Sequence, residues 1–142
     1  MKDRNLNHSD NWETPIDLYE KLNREFNFDF DPCPICFDEI KPENDGLLIE
    51  WGDRNFVNPP YSRKLKEAFV CRTLEESKKG KLCVLLIPVS TSTKLFHDII
   101  QPNAKEIRFL RGRVRFKGFC YDGSPSKGNG MHDSMIVVFD GR

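Results

Sequence analysis

Leu82-Cys83-Val84-Leu85-Leu86-Ile87 is an unbroken apolar run, preceded by Lys79-Gly80-Lys81 and stopped by Pro88. A short run without alternation reads as a strand covered on both faces, which implies a sheet with helices on either side. Upstream, Asn55-Phe56-Val57-Asn58 reads as a brief strand halted by Pro59 and Pro60. Ser62 then caps a helix in which Leu65, Ala68, Phe69, Arg72 and Thr73 recur at helical spacing. Further upstream, Thr14 stands as an N-cap with Pro15 at the first helical position and Asp17 three residues on. Leu18, Tyr19, Leu22 and Phe26 form the apolar stripe of that helix. Phe26, Phe28 and Phe30 alternate, predicting a strand that ends at Asp31-Pro32. A short helix is expected within 37–40 and a short strand within 47–51. Downstream come a short helix over 93–100, an alternating strand over 106–110 and a last strand over 134–139. This order predicts an α/β fold with helices packed on a mainly parallel sheet and an antiparallel final strand, because no helix precedes the last one.

The chain has 142 residues, 38% hydrophobic and 31% charged, a composition suited to one globular domain and unlike disordered or fibrous sequences. Residues 1–11 lack apolar periodicity and read as a flexible tail, leaving 12–142 as a single domain. No apolar run is long enough to cross a bilayer and no signal core opens the chain, so export and membrane insertion are not expected. Five cysteines, an odd number, fit free thiols in a reducing cytoplasm better than a disulfide framework. Net charge is zero, yet residues 1–60 carry 14 acids against 6 bases, and residues 61–142 carry 8 acids against 16 bases. Such asymmetry suggests one face meant for a polyanion.

In a parallel sheet, ligands bind outside the carboxyl ends of the strands, where Asp31, Asn58 and Pro88 are expected to converge. Asn58-Pro59-Pro60-Tyr61 is the most specific signal there. Paired prolines fix φ and remove two N–H donors, so the turn is stiff and presents oxygens without competing donors. An amide oxygen from Asn58, a carbonyl oxygen from Pro59 and the Tyr61 ring would together suit a planar ligand bearing an amine.

With that turn, the sequence resembles the S-adenosylmethionine-dependent amino-methyltransferases, and more closely the small phage-type DNA N6-adenine methyltransferase (Dam-like) family. The likeness is carried by Trp12-Glu13-Thr14-Pro15, Asp31-Pro32-Cys33, Asp45-Gly46-Leu47 with Trp51, Asn58 to Tyr61, Leu86-Ile87-Pro88, Gly112-Arg113 with Phe116, and the closing apolar strand. The resemblance implies a compact, truncated Rossmann-like methyltransferase fold acting in the cytoplasm of a bacterial or phage-infected cell. It implies methyl transfer from S-adenosylmethionine to the exocyclic amine of an adenine flipped out of double-stranded DNA. Asn58, Pro59, Pro60 and Tyr61 become the catalytic turn: two acceptors hold the amino hydrogens while the tyrosine stacks on the base. Thr14, Pro15, Asp31, Pro32 and Cys33 become the cofactor's contacts at its methionine end, and Asp45 a candidate for its ribose. Thr14 also reads as a plain helix cap and Asp31 as a turn former. The glycine-rich loop that follows the first strand in larger methyltransferases is missing here.

From Lys105 to Lys117 six bases face one acid, and alternation puts Arg111, Arg113 and Arg115 on one side with Val114 and Phe116 on the other. With Lys117, and with Lys127 in the glycine- and serine-rich stretch 122–130, these are the expected phosphate contacts, although one or two of the arginines could be structural. Cys33-Pro34-Ile35-Cys36 lacks the second pair that a zinc site needs, so no metal is expected. His97 and His132 have no nucleophile motif beside them. The same turn also serves methyltransferases acting on cytosine N4, RNA adenines or a protein glutamine amide, and a catalytically idle nucleic-acid-binding domain remains a second reading. Target recognition would be short, relaxed or supplied by a homodimer or a separate specificity partner.

Overall fold

The computed structural model describes residues 12–34, 40–118 and 130–142. Residues 1–11, expected as a flexible tail, most of the helix expected over 37–40, and Lys127 with most of the glycine- and serine-rich stretch lie outside the described residues, as do Cys36 and Cys120.

The chain runs β1 (Trp12–Glu13), α1 (Ile16–Phe26), β2 (Arg54–Val57), α2 (Arg63–Ser77), β3 (Leu82–Pro88), a π-helix (Leu95–Ile100), α3 (Gln101–Asn103), β4 (Glu106–Gly118) and β5 (Gly130–Asp140). It is a small α/β protein whose five-stranded sheet has the order β1-β4-β5-β3-β2. β2 and β3 pair in parallel, whereas β3 with β5, β4 with β5, and β1 with β4 are antiparallel. By pairing, then, the sheet is mixed rather than mainly parallel. The cause is the last strand: β5 is antiparallel as expected but inserts between β3 and β4, which separates two strands that run the same way. Sequence patterns carry no information about such an insertion, because each strand's apolar character is the same beside either neighbour.

β3 is buried along its whole apolar run, and its alternate residues feed two cores. Val57, Phe69, Cys83, Leu85, Ile87, Met135 and Val137 pack on the α2 side. Leu22, Phe26, Phe56, Val84, Leu86, Phe116 and Ile136 pack on the α1 side. Helix α1 runs through Phe26 and ends at Asn27, which adopts the left-handed conformation with φ 53° and donates its N–H to Asn23 O. The phenylalanine alternation therefore straddles a helix end: Phe26 is helical, and only Phe30 keeps a strand contact, a single parallel bridge to Asn55. Pro15, one residue later than expected, is the N-cap of α1, and Thr14 makes no capping bond to it. Residues 47–51 are the end of a turn followed by irregular backbone instead of a strand. Arg72 on α2 holds that turn by donating to Leu47 O (2.7 Å) and Ile49 O (2.8 Å), and Trp51 donates its indole N–H to Gly46 O (2.7 Å).

Candidate active site

The rigid turn after β2 crosses the rim of the sheet where β2 and β3 end. Asn58, Pro59 and Pro60 are buried, while Tyr61 is half-buried at the entry to α2. Asn58 looks toward the α1 side, where it lines a cavity of about 190 Å³ with Trp12, Thr14, Tyr19, Asp31, Cys33 and Phe56. Tyr61 lines a larger cleft of about 800 Å³ on the α2 side, together with Lys66, Pro88, Ser90, Thr93 and Lys94. Four expected site residues, Thr14, Asp31, Cys33 and Asn58, are thus brought to one cavity wall although they come from three separate segments of chain.

Asn58 Nδ2 donates to Trp12 O (3.2 Å) and to Thr14 Oγ1 (3.0 Å), and its Oδ1 is buried without a hydrogen-bond partner. A buried amide oxygen with no partner is uncommon in a folded protein; among the described residues Asn55 Oδ1 is another, and of the two it is Asn58 that lines this cavity. Asp31 follows the Phe30 bridge; its Oδ1 accepts the Cys33 N–H (2.9 Å), which folds Asp31-Pro32-Cys33 into a tight turn. Burial pushes the Asp31 carboxyl up to about 6, against the opposing pull of that backbone bond. Such a carboxylate gains by meeting a cation. Asp45 is buried beneath the neighbouring turn, where its Oδ1 accepts the Leu47 N–H (2.9 Å) and its carbonyl accepts the N–H groups of Leu48 and Ile49. Its bond to Leu47 is that of a turn former.

Tyr61 is anchored rather than free. Its hydroxyl donates to Leu86 O (3.2 Å), and its ring meets those of Phe116 and His132 near the perpendicular, with centroids 5.6 and 5.1 Å away. Burial raises its hydroxyl well above the usual phenol range, so it stays a neutral donor. Burial, with the Lys66 charge beside it, lowers the His132 imidazole and keeps it neutral near pH 7.

Sheet register places the basic segment. β4 advances from Phe109 to Arg113 while β5 advances only from Met135 to Asp133, so a bulge of two extra residues forms around Gly112, whose φ is +74°. Two extra residues preserve the alternation. Arg113 lies opposite Asp133, with Nε 3.2 Å from its Oδ1, on the face that carries Met135 and the larger cleft. Arg111, Arg113 and Arg115 are exposed, whereas Phe116 and Val114 pack on the α1 side. The backbone of Lys117 pairs with Glu13. Lys105 and Arg108 at the other end of β4 are used internally, Lys105 with Asp140 and Arg108 with Glu25 and Glu106 across to α1.

Sequence reasoning missed Arg63, Lys66 and Lys94 on the larger cleft. The signal was present in the bases directly after Tyr61, at 63, 64 and 66. It also missed β1, too short to show a pattern. Among the described residues no group of three His, Cys, Asp or Glu could hold a metal ion, and no helix is long and apolar enough to cross a membrane.

Fold and site define a small α/β protein with an amide-bearing turn at the strand ends, the rim where ligands of such sheets bind. The family model for DNA N-6-adenine-methyltransferase (Dam) matches residues 3–141, and the chain belongs to that family. At family level it is a DNA N6-adenine methyltransferase. No curated protein and no solved structure matches the chain.

Proposed function

We propose that this chain transfers a methyl group from S-adenosylmethionine to N6 of an adenine turned out of duplex DNA, using Asn58 as the amine's acceptor. The observation that carries the reading is the buried, unpartnered Asn58 Oδ1 on the wall of the smaller cavity. S-adenosylmethionine supplies an electrophilic methyl on a sulfonium sulfur. The donor set fits its methionine end: Asp31 offers a carboxylate that needs a cation, and Cys33 lines the same wall. At about 190 Å³ the cavity falls below the roughly 300 Å³ at which whole-ligand pockets begin, so it suits that end and not the entire cofactor.

An adenine amino lone pair is delocalised into the ring and attacks poorly. By accepting a hydrogen bond from the amine, Asn58 Oδ1 favours a pyramidal nitrogen and stabilises the positive charge that grows on it as the N–C bond forms and the S–C bond breaks, leaving a neutral thioether, after which the extra N6 proton passes to water. The Pro59 carbonyl is the second acceptor in this reading. Tyr61, whose ring is held on the α1 side by Leu86 O, Phe116 and His132, is the stacking partner of the base in this reading. Pro15 and Pro32 stiffen the two cofactor loops. Arg111, Arg113, Arg115 and Lys117, with Lys127 of the glycine- and serine-rich stretch, meet phosphates, joined by Lys66 and Lys94 at the cleft. The sheet suits a truncated Rossmann-like methyltransferase domain over 12–142, since β2, β3 and β4 run one way, with β5 and the two-residue β1 against them.

The test is transfer of labelled methyl from S-adenosylmethionine to unmethylated duplex DNA, followed by nucleoside digestion. N6-methyladenine as the product supports the reading, whereas N4-methylcytosine alone, or no transfer, overturns it.

A further inference from the structure

Both hydrogens of the Asn58 amide are held by the segment that precedes α1, at Trp12 O and Thr14 Oγ1. The Trp12 carbonyl can only accept, so it decides which end of the amide faces it: a flipped amide would set oxygen against oxygen. Thr14 Oγ1 takes the other hydrogen and stops rotation about the last side-chain bond. Oδ1 is then the atom left toward the cavity, buried and unpartnered. Trp12 is held in turn by β1, which pairs it with Gly118 of β4.

We propose that Thr14, with the Trp12 carbonyl, is a positioning residue for Asn58, fixing the amide with its oxygen forward, and that this is the main use of the Thr14 hydroxyl. The inference rests on reading Asn58 as the amine's acceptor and goes beyond it, because it assigns Thr14 to the turnover step and away from cofactor affinity. Thr14 makes no cap to α1, so its hydroxyl is not occupied there.

The experiment compares Thr14→Val, Thr14→Ser, Asn58→Ala and the Asn58→Ala/Thr14→Val double variant, with kcat at saturating substrates and calorimetric Kd for S-adenosylmethionine as readouts. Thr14→Val should lower kcat about 10- to 100-fold, the scale of a small misplacement of a reacting group, with cofactor Kd within about twofold. Thr14→Ser should recover most of the rate, and Thr14→Val should add nothing once Asn58 is alanine. A cofactor Kd weakened about tenfold with kcat kept would make Thr14 a cofactor ligand and overturn the proposal, as would unchanged kcat in Thr14→Val. Full kcat in Asn58→Ala overturns the acceptor reading itself, whereas loss in Asn58→Ala without loss in Thr14→Val overturns the positioning role alone. Should Thr14→Val not fold, the Asn58 side-chain NH₂ signals of the wild type and of Thr14→Ser decide: two protons slow to exchange support the cradle, and two fast ones reject it.

Discussion

A Cβ placed on Gly46 would lie 1.9 Å from the carbonyl oxygen of Pro32. The Asp45-Gly46-Leu47 turn is thus pressed against the Asp31-Pro32-Cys33 turn, backbone on backbone, with the Phe69 ring 3.1 Å away on the same side. Two stretches more than ten residues apart touch only because one of them has no side chain there.

Gly46→Ala should therefore force the two turns apart. Overpacking against backbone that cannot swing aside costs about 1–3 kcal/mol, readable as a lower urea midpoint at unchanged slope. Gly80→Ala is the comparison: φ is +92° but nothing lies within 4 Å of its Cβ, so the only cost is backbone strain of about 1–2 kcal/mol. Gly46→Ala should also weaken S-adenosylmethionine binding and Gly80→Ala should not. Equal affinities would separate the Asp31 turn from the cofactor site.

On the proposed reading, Asp31 should make cofactor affinity depend on pH. Its carboxyl, raised by burial from 3.8 to about 6, is largely protonated in the folded protein at pH 5 and ionised at pH 7. If it pairs with the cofactor's ammonium group, S-adenosylmethionine should bind more tightly as pH climbs from 5 to 7, and Asp31→Asn should remove that trend. Stability moves the other way. Between about pH 4 and 6 the folded state holds a proton that the unfolded state releases, so this group makes the protein less stable as pH rises through that window. Calorimetric titrations at three pH values, paired with denaturation curves, check both signs.

Much of this site was legible because its signals are local. Pro59-Pro60 stops a strand wherever it occurs, and the apolar run at 82–87 can only be buried. What was not legible is the contact between distant pieces. Asn58 and Thr14 lie 44 residues apart, and no pattern in either stretch announces that one amide will use the other's hydroxyl. The same limit hid the insertion of β5 between β3 and β4. Phe26-Phe28-Phe30 misled for a different reason: a left-handed Asn27 breaks the chain between two of the three rings, and a period-two pattern cannot register that break.

Glu76 is fully buried at the end of α2, bonded to Lys79 (2.6 Å), Lys81 (2.7 Å) and Arg72 (3.2 Å). Burial alone would raise its carboxyl, but the bonds to Lys79 and Lys81, with the nearby charges, outweigh it and bring it to about 2. A depressed carboxyl contributes stability above its unfolded value, so that contribution should be lost as pH falls from about 4.5 toward 2. Glu76→Ala strands the mostly buried Lys81 and loosens Arg72 from the turn it holds. The expected loss is about 3–5 kcal/mol, measured by urea denaturation at pH 7. A loss below about 1 kcal/mol would mean that the lysines find other partners.

The exposed arginines of β4 divide by position, and their effects on DNA binding should divide likewise. Arg113 and Arg115 share the sheet face of the larger cleft, and Arg111 sits in the bulge before them. Lys105, at the far end of the same strand, is turned to Asp140. Each phosphate contact releases counterions and adds about 0.9 to the slope of log affinity against log salt. Replacing Arg111, Arg113 and Arg115 by glutamine should lower that slope by about 2 to 3 and weaken binding to every sequence alike, since phosphate contacts carry no base information. Lys105→Gln should leave the slope where it was. Equal slopes in the triple variant and the wild type would move the polyanion contact off β4 and onto the lysines beside Tyr61, where Lys66→Gln and Lys94→Gln would then show the loss.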